Sequence, residues 1–525
     1  MTNTLHLDIQ NRSDYGYDSS PNPAKLIESM RHVGYGNYTA LADLLDNSFD
    51  ADATDVKVQI RTKNSELEII IVDNGIGMSE AILGEAIKLG SNTIKNQESD
   101  LGKFGMGLCT ASLSICRQTT VLTKTEAGTV LKAVNDIDKV IKENKFISYL
   151  GKPNEEDLKL FTEFLPDAHS GTIIVLKKCD RIGNTNTSIF AATAIKEFGR
   201  IFRYFIDAGR SISVNGKQVQ AFDPLAWDDP LTEQYSSESI EIELLNLQGE
   251  KVIEKVAIKL AVLSPDDEKG EKERAQNIQN QGFQVMRNNR EIVDASALGF
   301  FTKHNSLNRF RGEISFSGNL DGLFGINFTK KNIVIQQSLR DKLDSYIKSN
   351  IKSIRERAEK RAKKDTPENI KEIHLDAAKE INKKAKLLIR PKALIEKRDS
   401  LGISSVKKNL NVEAKTTREP GENKQEGFAA NCEFRAASMG AASVVYHPEM
   451  RGRTIIVTYN SDHPFYQKFI LGYGESDRGL VAGIDYLIYS LACAELTQNS
   501  EEDEVARLVE NFKSIMSSNL RTLLS

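Results

Sequence analysis

Three short motifs in the first 110 residues combine side chains that could bind one nucleotide. The first places Asp43, Asn47 and Asp50 at spacings of four and three; the second is Asp-Asn-Gly-Ile-Gly at 73–77; the third is Gly-Lys-Phe-Gly-Met-Gly at 102–107. Alone, each is typical of a solvated helix face or of a turn that needs glycine. Their order and spacing predict a single pocket lined by carboxylates, an amide and a glycine loop.

The first motif lies on a predicted helix with one apolar stripe, formed by Leu41, Leu44, Leu45 and Phe49. Asp43, Asn47 and Asp50 share the opposite side, so their side chains reach a common space. An amide oxygen there suits Mg²⁺, which prefers oxygen ligands and keeps waters that phosphates can replace. Two interpretations of Asp43 stay open, a carboxylate that faces the pocket and an acidic side chain that is solvated on the helix surface or caps it.

The other two motifs suit the two ends of a nucleotide. Asp73 follows a strand predicted over residues 67–72, and a carboxylate at a strand end can accept a hydrogen bond from an exocyclic amine. The glycine loop precedes a helix predicted over 108–117, whose first N–H groups and dipole favour phosphate. The loop is not a Walker loop, because it lacks the upstream Gly and the following Ser/Thr. Its GxxGxG spacing without a βαβ unit also differs from the dinucleotide fingerprint.

The three motifs resemble those of the GHKL ATPases, the superfamily of gyrase B, the ninety-kilodalton heat-shock chaperone, the histidine kinases and MutL. They are most similar to its MORC and MutL branches. The resemblance implies ATP and Mg²⁺ as ligands, with Asn47 on the metal and Asp73 on the adenine amine. Residues 170–175 resemble the family's late Gly-Thr strand, in which Thr172 supports Asp73. The other ATP-binding residues that the resemblance implies are Asp50, Gly75, Gly77, Met78, Lys95, Gly102, Lys103, Phe104, Gly105, Met106 and Gly107.

One residue departs from the family pattern. Hydrolysing members carry Glu four residues before the magnesium-binding Asn, as the base that activates water, and this chain has Asp43 there. Asp is one methylene shorter, and general-base catalysis is sensitive to reach. We therefore expect an ATP hydrolase that is slow, with ATP binding better supported than turnover.

Composition and length predict a soluble, globular chain of several domains, and the resemblance implies an α+β fold. Its 525 residues carry a net charge of −3, and five scattered cysteines predict reduced thiols in a cytoplasmic protein. No run of eighteen apolar residues predicts a membrane span, and the polar first 22 residues do not resemble a signal peptide. The predicted order is a tail at 1–22, a GHKL (Bergerat) α/β sandwich at 23–225, a transducer-like αβ domain at 226–336, a basic helical segment at 337–400, a flexible linker at 401–427 and a small C-terminal α/β domain at 428–525 for dimerisation or partner binding.

The second predicted domain has strands at 240–244, 252–263, 282–286 and 312–317. Residues 284–292 resemble the corresponding MORC segment. Residues 327–331 resemble the loop from which the transducer sends a lysine to the γ-phosphate. We favour Lys330 for that catalytic role and keep Lys331 as the alternative; the competing interpretation is two solvated lysines at a strand end.

Residues 352–399 contain sixteen Lys/Arg and nine Asp/Glu, a local excess of positive charge in an acidic chain. Such a segment is typical of polyanion contact, and the DNA-contact candidates are Lys360, Arg361, Lys363 and Lys364. Interleaved acids equally favour a solvated helix held by i, i+4 pairs. Near the C-terminus, Asp462 and His463 predict a structured turn rather than a hydrolase site, because no GxSxG motif accompanies them.

Three functions remain open from the sequence. The first is a homodimer that closes on ATP and clamps DNA without sequence preference, as MORC-like or MutL-like proteins in genome maintenance or defence would. The second is a chaperone-like ATPase with protein clients. The third is a nucleotide-gated scaffold that recruits an effector protein with little turnover.

Overall fold

A computed structural model describes most of the chain. The described residues are 20–32, 36–63, 66–91, 100–102, 107–166, 169–183, 186–245, 250–264, 274, 276–326, 333–364, 373–385, 387–391, 431–440, 443–474, 476–498 and 503–524. They form an α+β fold in which three sheets each pack against helices around an apolar core. We refer to these units as the N-terminal, middle and C-terminal domains.

The N-terminal domain is built on an eight-stranded sheet of order β5-β4-β3-β6-β2-β1-β7-β8. Its strands are β1 Asp55–Lys63, β2 Glu66–Asp73, β3 Gln118–Lys124, β4 Leu131–Asp136, β5 Tyr149–Gly151, β6 Gly171–Lys177, β7 Ser211–Val214 and β8 Lys217–Gln218. Its helices are α1 Pro23–Arg31, α2 Asn37–Asp50, α3 Glu80–Ala86, α4 Gly107–Ile115, α5 Ile137–Glu143, α6 Glu155–Phe164, α7 Thr187–Ile201 and α8 Arg203–Asp207.

Strand β2 shows how this sheet is covered on both faces. Ile69 and Ile71 join the core formed with α2, α4 and α7, whereas Ile70 and Val72 join a second cluster beneath α6. Alternating side chains point to opposite faces, so an unbroken apolar run is what a doubly covered strand requires. The sheet thereby fixes Asp73 at the end of β2, directly opposite Thr172 of the adjacent strand β6.

The middle domain has a five-stranded sheet of order β12-β11-β13-β10-β9. Its elements are β9 Glu233–Leu245, β10 Lys251–Val262, β11 Gly282–Arg287, β12 Arg290–Ser296, β13 Phe310–Phe316, α9 Asp321–Phe324 and α10 Gln337–Lys364. Helix α10 packs on this sheet through apolar side chains spaced three or four residues apart, which are Leu339, Leu343, Ile347, Ile351 and Ile354. The first half of the predicted basic segment therefore completes the core of the middle domain.

The C-terminal domain has a three-stranded sheet of order β14-β16-β15. Its elements are α11 Leu375–Lys383, β14 Asn431–Ala437, β15 Tyr446–Arg451, β16 Thr454–Asn460, a π-helical turn Tyr466–Leu471, α12 Arg478–Gln498 and α13 Asp503–Leu524. The His463 ring accepts a hydrogen bond from the Phe465 N–H and contacts the Ser517 carbonyl. These contacts confirm the structured turn.

Helix α12 is apolar enough to be tested against a membrane span. Residues 478–497 have a mean hydropathy of 1.4, and by length and composition this one helix of the described chain could cross a bilayer. In the structure its Val481 and Ile488 belong to the C-terminal core. Its buried Asp485 accepts a hydrogen bond from the Tyr459 hydroxyl at 2.8 Å and pairs with the His374 ring at 2.9 Å. One face of this helix therefore packs in the core of the C-terminal domain.

Candidate functional site

Helix α2 carries the first motif and has the predicted apolar stripe, since Leu41, Leu44 and Leu45 are fully buried. One interpretation of Asp43 required it to be solvated on the opposite side of the helix, but it is buried there. Asp43 and Asp46 are 4% and 1% exposed, because the middle domain covers this side of the helix. The solvated interpretation of Asp43 is therefore wrong.

Asp73 lies at the centre of a hydrogen-bond network at one end of the site. Its carboxylate accepts hydrogen bonds from the Ser48 hydroxyl on α2 and from the Gly75 N–H, both at 3.0 Å. Burial raises the pKa of Asp73 to about 6, although hydrogen bonds from Gly75, Ser48 and the Thr172 backbone lower it. A buried carboxylate whose pKa is raised this far is a candidate binding group.

Thr172 supports this network in two ways. Its backbone lowers the pKa of Asp73 by hydrogen bonding to the carboxylate, and its hydroxyl lies 3.0 Å from the Thr123 hydroxyl. The Thr123 hydroxyl in turn accepts a hydrogen bond from the Met78 N–H at 2.9 Å. Strands β2, β3 and β6 and the loop after β2 are thus joined around one carboxylate.

The loop after β2 depends on glycine. Gly77 has φ +69°, and a Cβ atom there would overlap the carbonyl oxygen of Lys124 at the end of β3. Only glycine combines a left-handed backbone with so close an approach. The loop can therefore fold back over the sheet end, where the Ser170 hydroxyl donates to the Gly75 carbonyl at 2.8 Å.

Asn47 faces the start of α4 at the other end of the site. A Cβ on Gly107 would lie 3.9 Å from both head atoms of the Asn47 amide. The buried Nδ2 of Asn47 has no hydrogen-bond partner among the described residues. A buried N–H group without a partner costs about 1–3 kcal/mol, so this one fits a ligand that supplies an acceptor, such as a phosphate oxygen. The amide oxygen and the adjoining α4 N-terminus fit Mg²⁺ and phosphate, respectively.

Asp50, the third residue of the motif, holds the beginning of the glycine loop. Its two carboxylate oxygens accept hydrogen bonds from the Leu101 N–H at 2.8 Å and the Gly102 N–H at 3.1 Å. Asp50 therefore anchors the predicted lid at its root. Seven predicted site residues lie outside the described residues: Lys95, Lys103, Phe104, Gly105, Met106, Lys330 and Lys331.

The middle domain contributes an arginine that the sequence analysis did not select. Arg290 Nη2 lies 2.7 Å from Asp43 Oδ1, and its Nε lies 3.2 Å from Asp46 Oδ1. Burial lowers the pKa of Arg290, but the charges of Asp46 and Asp43 more than offset this effect and raise it. Adjacent Glu291 pairs with Arg203 at 2.8 Å and with Arg200. Strand β12 is thus tied to α2 on one side and to α7 and α8 on the other.

Arg287 on β11 reaches the lid root. Its Nη1 donates to the carbonyl oxygens of Asp100 at 2.9 Å and Leu101 at 3.1 Å, while Asp321 pairs with its guanidinium at 2.7 Å. A sequence signal for this hairpin existed, because Asn-Asn between two apolar alternating runs is a turn pattern. The pattern does not reveal which surface the arginines meet.

Comparison with known proteins identifies the class. Residues 35–172 match the family described as histidine kinase-, DNA gyrase B-, and HSP90-like ATPase. The match spans the motifs at Asp43, Asp73 and Gly107 and ends at Thr172. The resemblance to GHKL ATPases is therefore confirmed.

Similarity to particular proteins points to MORC ATPases. ATPase morc-1 of Caenorhabditis elegans is 30% identical over 98 residues, which are 19% of this chain and 11% of that protein. ATPase MORC2B of Mus musculus is 33% identical over 117 residues, and ATPase MORC2 of Homo sapiens is 29% identical over 116; each match covers 21% of this chain and 11% of the relative. The chain thus matches about a tenth of the length of each of these relatives.

Proposed function

We propose that this ATPase binds Mg²⁺ and ATP between α2, the end of β2 and the start of α4, and hydrolyses ATP slowly. The observation that carries the proposal is the position of Asn47, which faces Gly107 and whose buried Nδ2 has no partner among the described residues, between the Asp73 network and the lid root held by Asp50. A bound Mg²⁺ would neutralise phosphate charge. Asn47 would hold the metal and Asp43 would orient or deprotonate water.

Calorimetric titration of ATP with and without Mg²⁺ tests this assignment. Asn47→Ala should remove the Mg²⁺ dependence of binding, because the amide oxygen is the proposed protein ligand. Asn319→Ala changes an exposed asparagine of the middle domain and is the matched control. If Asn47→Ala binds ATP with an unchanged Mg²⁺ dependence, the proposed metal ligand is wrong.

We further propose that ATP drives homodimer closure, with Lys330, or alternatively Lys331, stabilising charge at the γ-phosphate. Lys330→Ala should then reduce hydrolysis and analogue-induced dimerisation with little change in ADP affinity. Size measurement of the full chain with ADP and with a non-hydrolysable ATP analogue tests this. If Lys331→Ala alone has this effect, the alternative lysine is correct.

DNA is the proposed client, on the basis of the positive charge in residues 352–399. Lys360, Arg361, Lys363 and Lys364 lie in α10, C-terminal to Ile354, the last α10 residue among the described members of the middle core. Replacing all four with Gln should weaken binding and flatten its salt dependence, since each neutralised phosphate adds about 0.9 to the log-log slope. Retention measured on circular and linear DNA, with and without ATP analogue, tests closure. No retention at low salt would favour a protein client and a chaperone-like role.

A second candidate, the nucleotide-gated scaffold, is favoured by one residue. Asp43 is one methylene shorter than the family's Glu, which reduces its reach toward an attacking water. ATP binding without turnover, even with DNA present, would support the scaffold and exclude the slow hydrolase.

A further inference from the structure

The β11–β12 hairpin has a turn that fixes the relative positions of two arginines. Asn288 and Asn289 form the turn with φ values of 47° and 63°, and positive φ at both central residues is the signature of a type I′ turn. Arg287 and Arg290 face each other directly across the hairpin. Opposed residues of an antiparallel pair lie on the same face, so both side chains leave the hairpin together.

Two like charges directly opposite each other destabilise a hairpin unless each has a partner of opposite charge. Arg287 is paired with Asp321, and Arg290 with Asp43 and Asp46. Both arginines are about 2% exposed, so neither charge is screened by water. The hairpin is therefore stable in this form when α2 supplies the carboxylates of Asp43 and Asp46. Docking of the hairpin on α2 and the position of these two carboxylates thus depend on each other.

The geometry at Arg290 holds Asp43 in particular. Nε contacts Asp46 and Nη1 donates to the Glu291 carbonyl at 2.9 Å, and these two contacts fix the guanidinium plane. Nη2 is thereby directed at Asp43 Oδ1, 2.7 Å away. A short Asp side chain has little reach of its own, so its catalytic placement depends on such a fixed partner.

We infer that Arg290 is a positioning residue for Asp43, so that hydrolysis requires the middle domain to be docked through the β11–β12 hairpin. The inference rests on the proposed hydrolysis of ATP. Arg287 extends the same coupling to the root of the lid. It donates to the Asp100 and Leu101 carbonyls, and Asp50 accepts hydrogen bonds from the Leu101 and Gly102 N–H groups. By linkage, a nucleotide that orders the lid and Asp43 must also favour hairpin docking.

Steady-state kinetics on the full chain provide the first test. Arg290→Gln should lower kcat by about 100-fold, as a misplaced catalytic group does, and leave KM within about twofold. Arg290→Lys, which keeps the charge, should recover part of the loss. Arg200→Gln is the matched control, because it removes another arginine from the same interface without touching Asp43. An equal loss of kcat in Arg200→Gln would overturn the inference and indicate general loosening of the interface.

Two further measurements keep the inference testable if Arg290→Gln fails to fold. Asp46→Asn removes the second anchor of the guanidinium while leaving Asp43 in place, and it should lower kcat by a smaller factor. Hydrogen exchange of the wild type should show residues 284–292 more protected with a non-hydrolysable ATP analogue than without it. If the analogue binds and this exchange is unchanged, the inference is wrong while ATP binding stands. If the analogue does not bind, the proposed function itself is wrong. If the analogue binds but ATP is not turned over, the hydrolase proposal fails. In that case the exchange result still decides whether nucleotide binding is coupled to docking of the hairpin.

Discussion

At the Asp73 end of the pocket, the hydrogen-bond partners described above come from the N-terminal domain, whereas at the Asp43 end the ion-pair partner is Arg290 of the middle domain. The Asp73 network joins neighbouring strands and α2, which the core of one domain holds in place. The Asp43 contact joins residues 247 positions apart. The contrast indicates that the proposed base-recognition end can be complete within one domain, while the proposed catalytic end depends on how two domains meet.

We expect the largest effect from a substitution that disrupts the Asp43 end alone. Asp43→Ala should reduce ATP hydrolysis by about 10²–10⁴-fold, the range for loss of a general base, and leave ATP affinity nearly unchanged. Steady-state turnover and calorimetry measure the two quantities. Asp43→Glu is the companion variant: a higher rate would show that the pocket retains the geometry of its hydrolysing relatives. A parallel loss of affinity in Asp43→Ala would contradict the division between the two ends.

Breaking the Asp73 end should have the opposite selectivity. Asp73→Asn should weaken ATP binding by about 1–3 kcal/mol, because it leaves a buried hydrogen-bond position mismatched. Calorimetry with ATP and GTP measures both affinity and base selectivity, which should fall together. Unchanged ATP affinity would remove Asp73 from the site.

Gly77 tests how far the adenine end depends on backbone conformation. Gly77→Ala should destabilise the protein by at least about 1–2 kcal/mol, the cost of a left-handed backbone for a residue with a Cβ, before the overlap with Lys124 is counted. Gly84→Ala in α3 is the control, since its Cβ would make an ordinary contact at 3.6 Å with Leu150. That change should be neutral or stabilise by up to about 1 kcal/mol. Thermal unfolding of both variants provides the comparison.

The smallest expected effect is a pH dependence at the Asp73 end. With a folded pKa of about 6, Asp73 gains a proton at higher pH than in the unfolded chain, so this group adds stability as pH falls from about 6 toward 3.8. Adenine binding needs the ionised acceptor and should change in the opposite direction, with affinity about twofold lower at pH 6 than at pH 7. Calorimetry in buffers of different ionisation enthalpy should show proton release near pH 6 in the wild type. A similar release in Asp73→Asn would assign it to another group.

Local patterns predicted the N-terminal domain well because its elements are defined by periodicity. The strand expected at 67–72 is Glu66–Asp73, and the helix expected at 108–117 is Gly107–Ile115. The same reasoning missed β12 and left the exposure of Asp43 open. A sequence pattern shows which face of α2 is apolar, but it does not show that a distant arginine covers the polar face.

Helix α10 also shows that a sequence pattern does not determine which surface a segment packs against. Its high charge predicted a separate basic segment, yet its apolar residues at three- and four-residue spacing form part of the middle core. Charge composition averages over a window, whereas packing is decided by the few positions on one face. The roles of Lys330 and of the lid residues 103–106 stay predictions, as do the predicted domain boundaries.

The length of α10 gives the middle domain a mechanical property. Its 28 residues span about 42 Å at 1.5 Å per residue, and its first half is fixed to the same sheet that carries the β11–β12 hairpin. A rigid rod of that length converts a rotation of about 10° at the sheet into a displacement of about 7 Å at its far end. Because the helix and the hairpin belong to one sheet, any rotation of that sheet at the pocket would be enlarged along the helix toward the residues proposed to meet DNA.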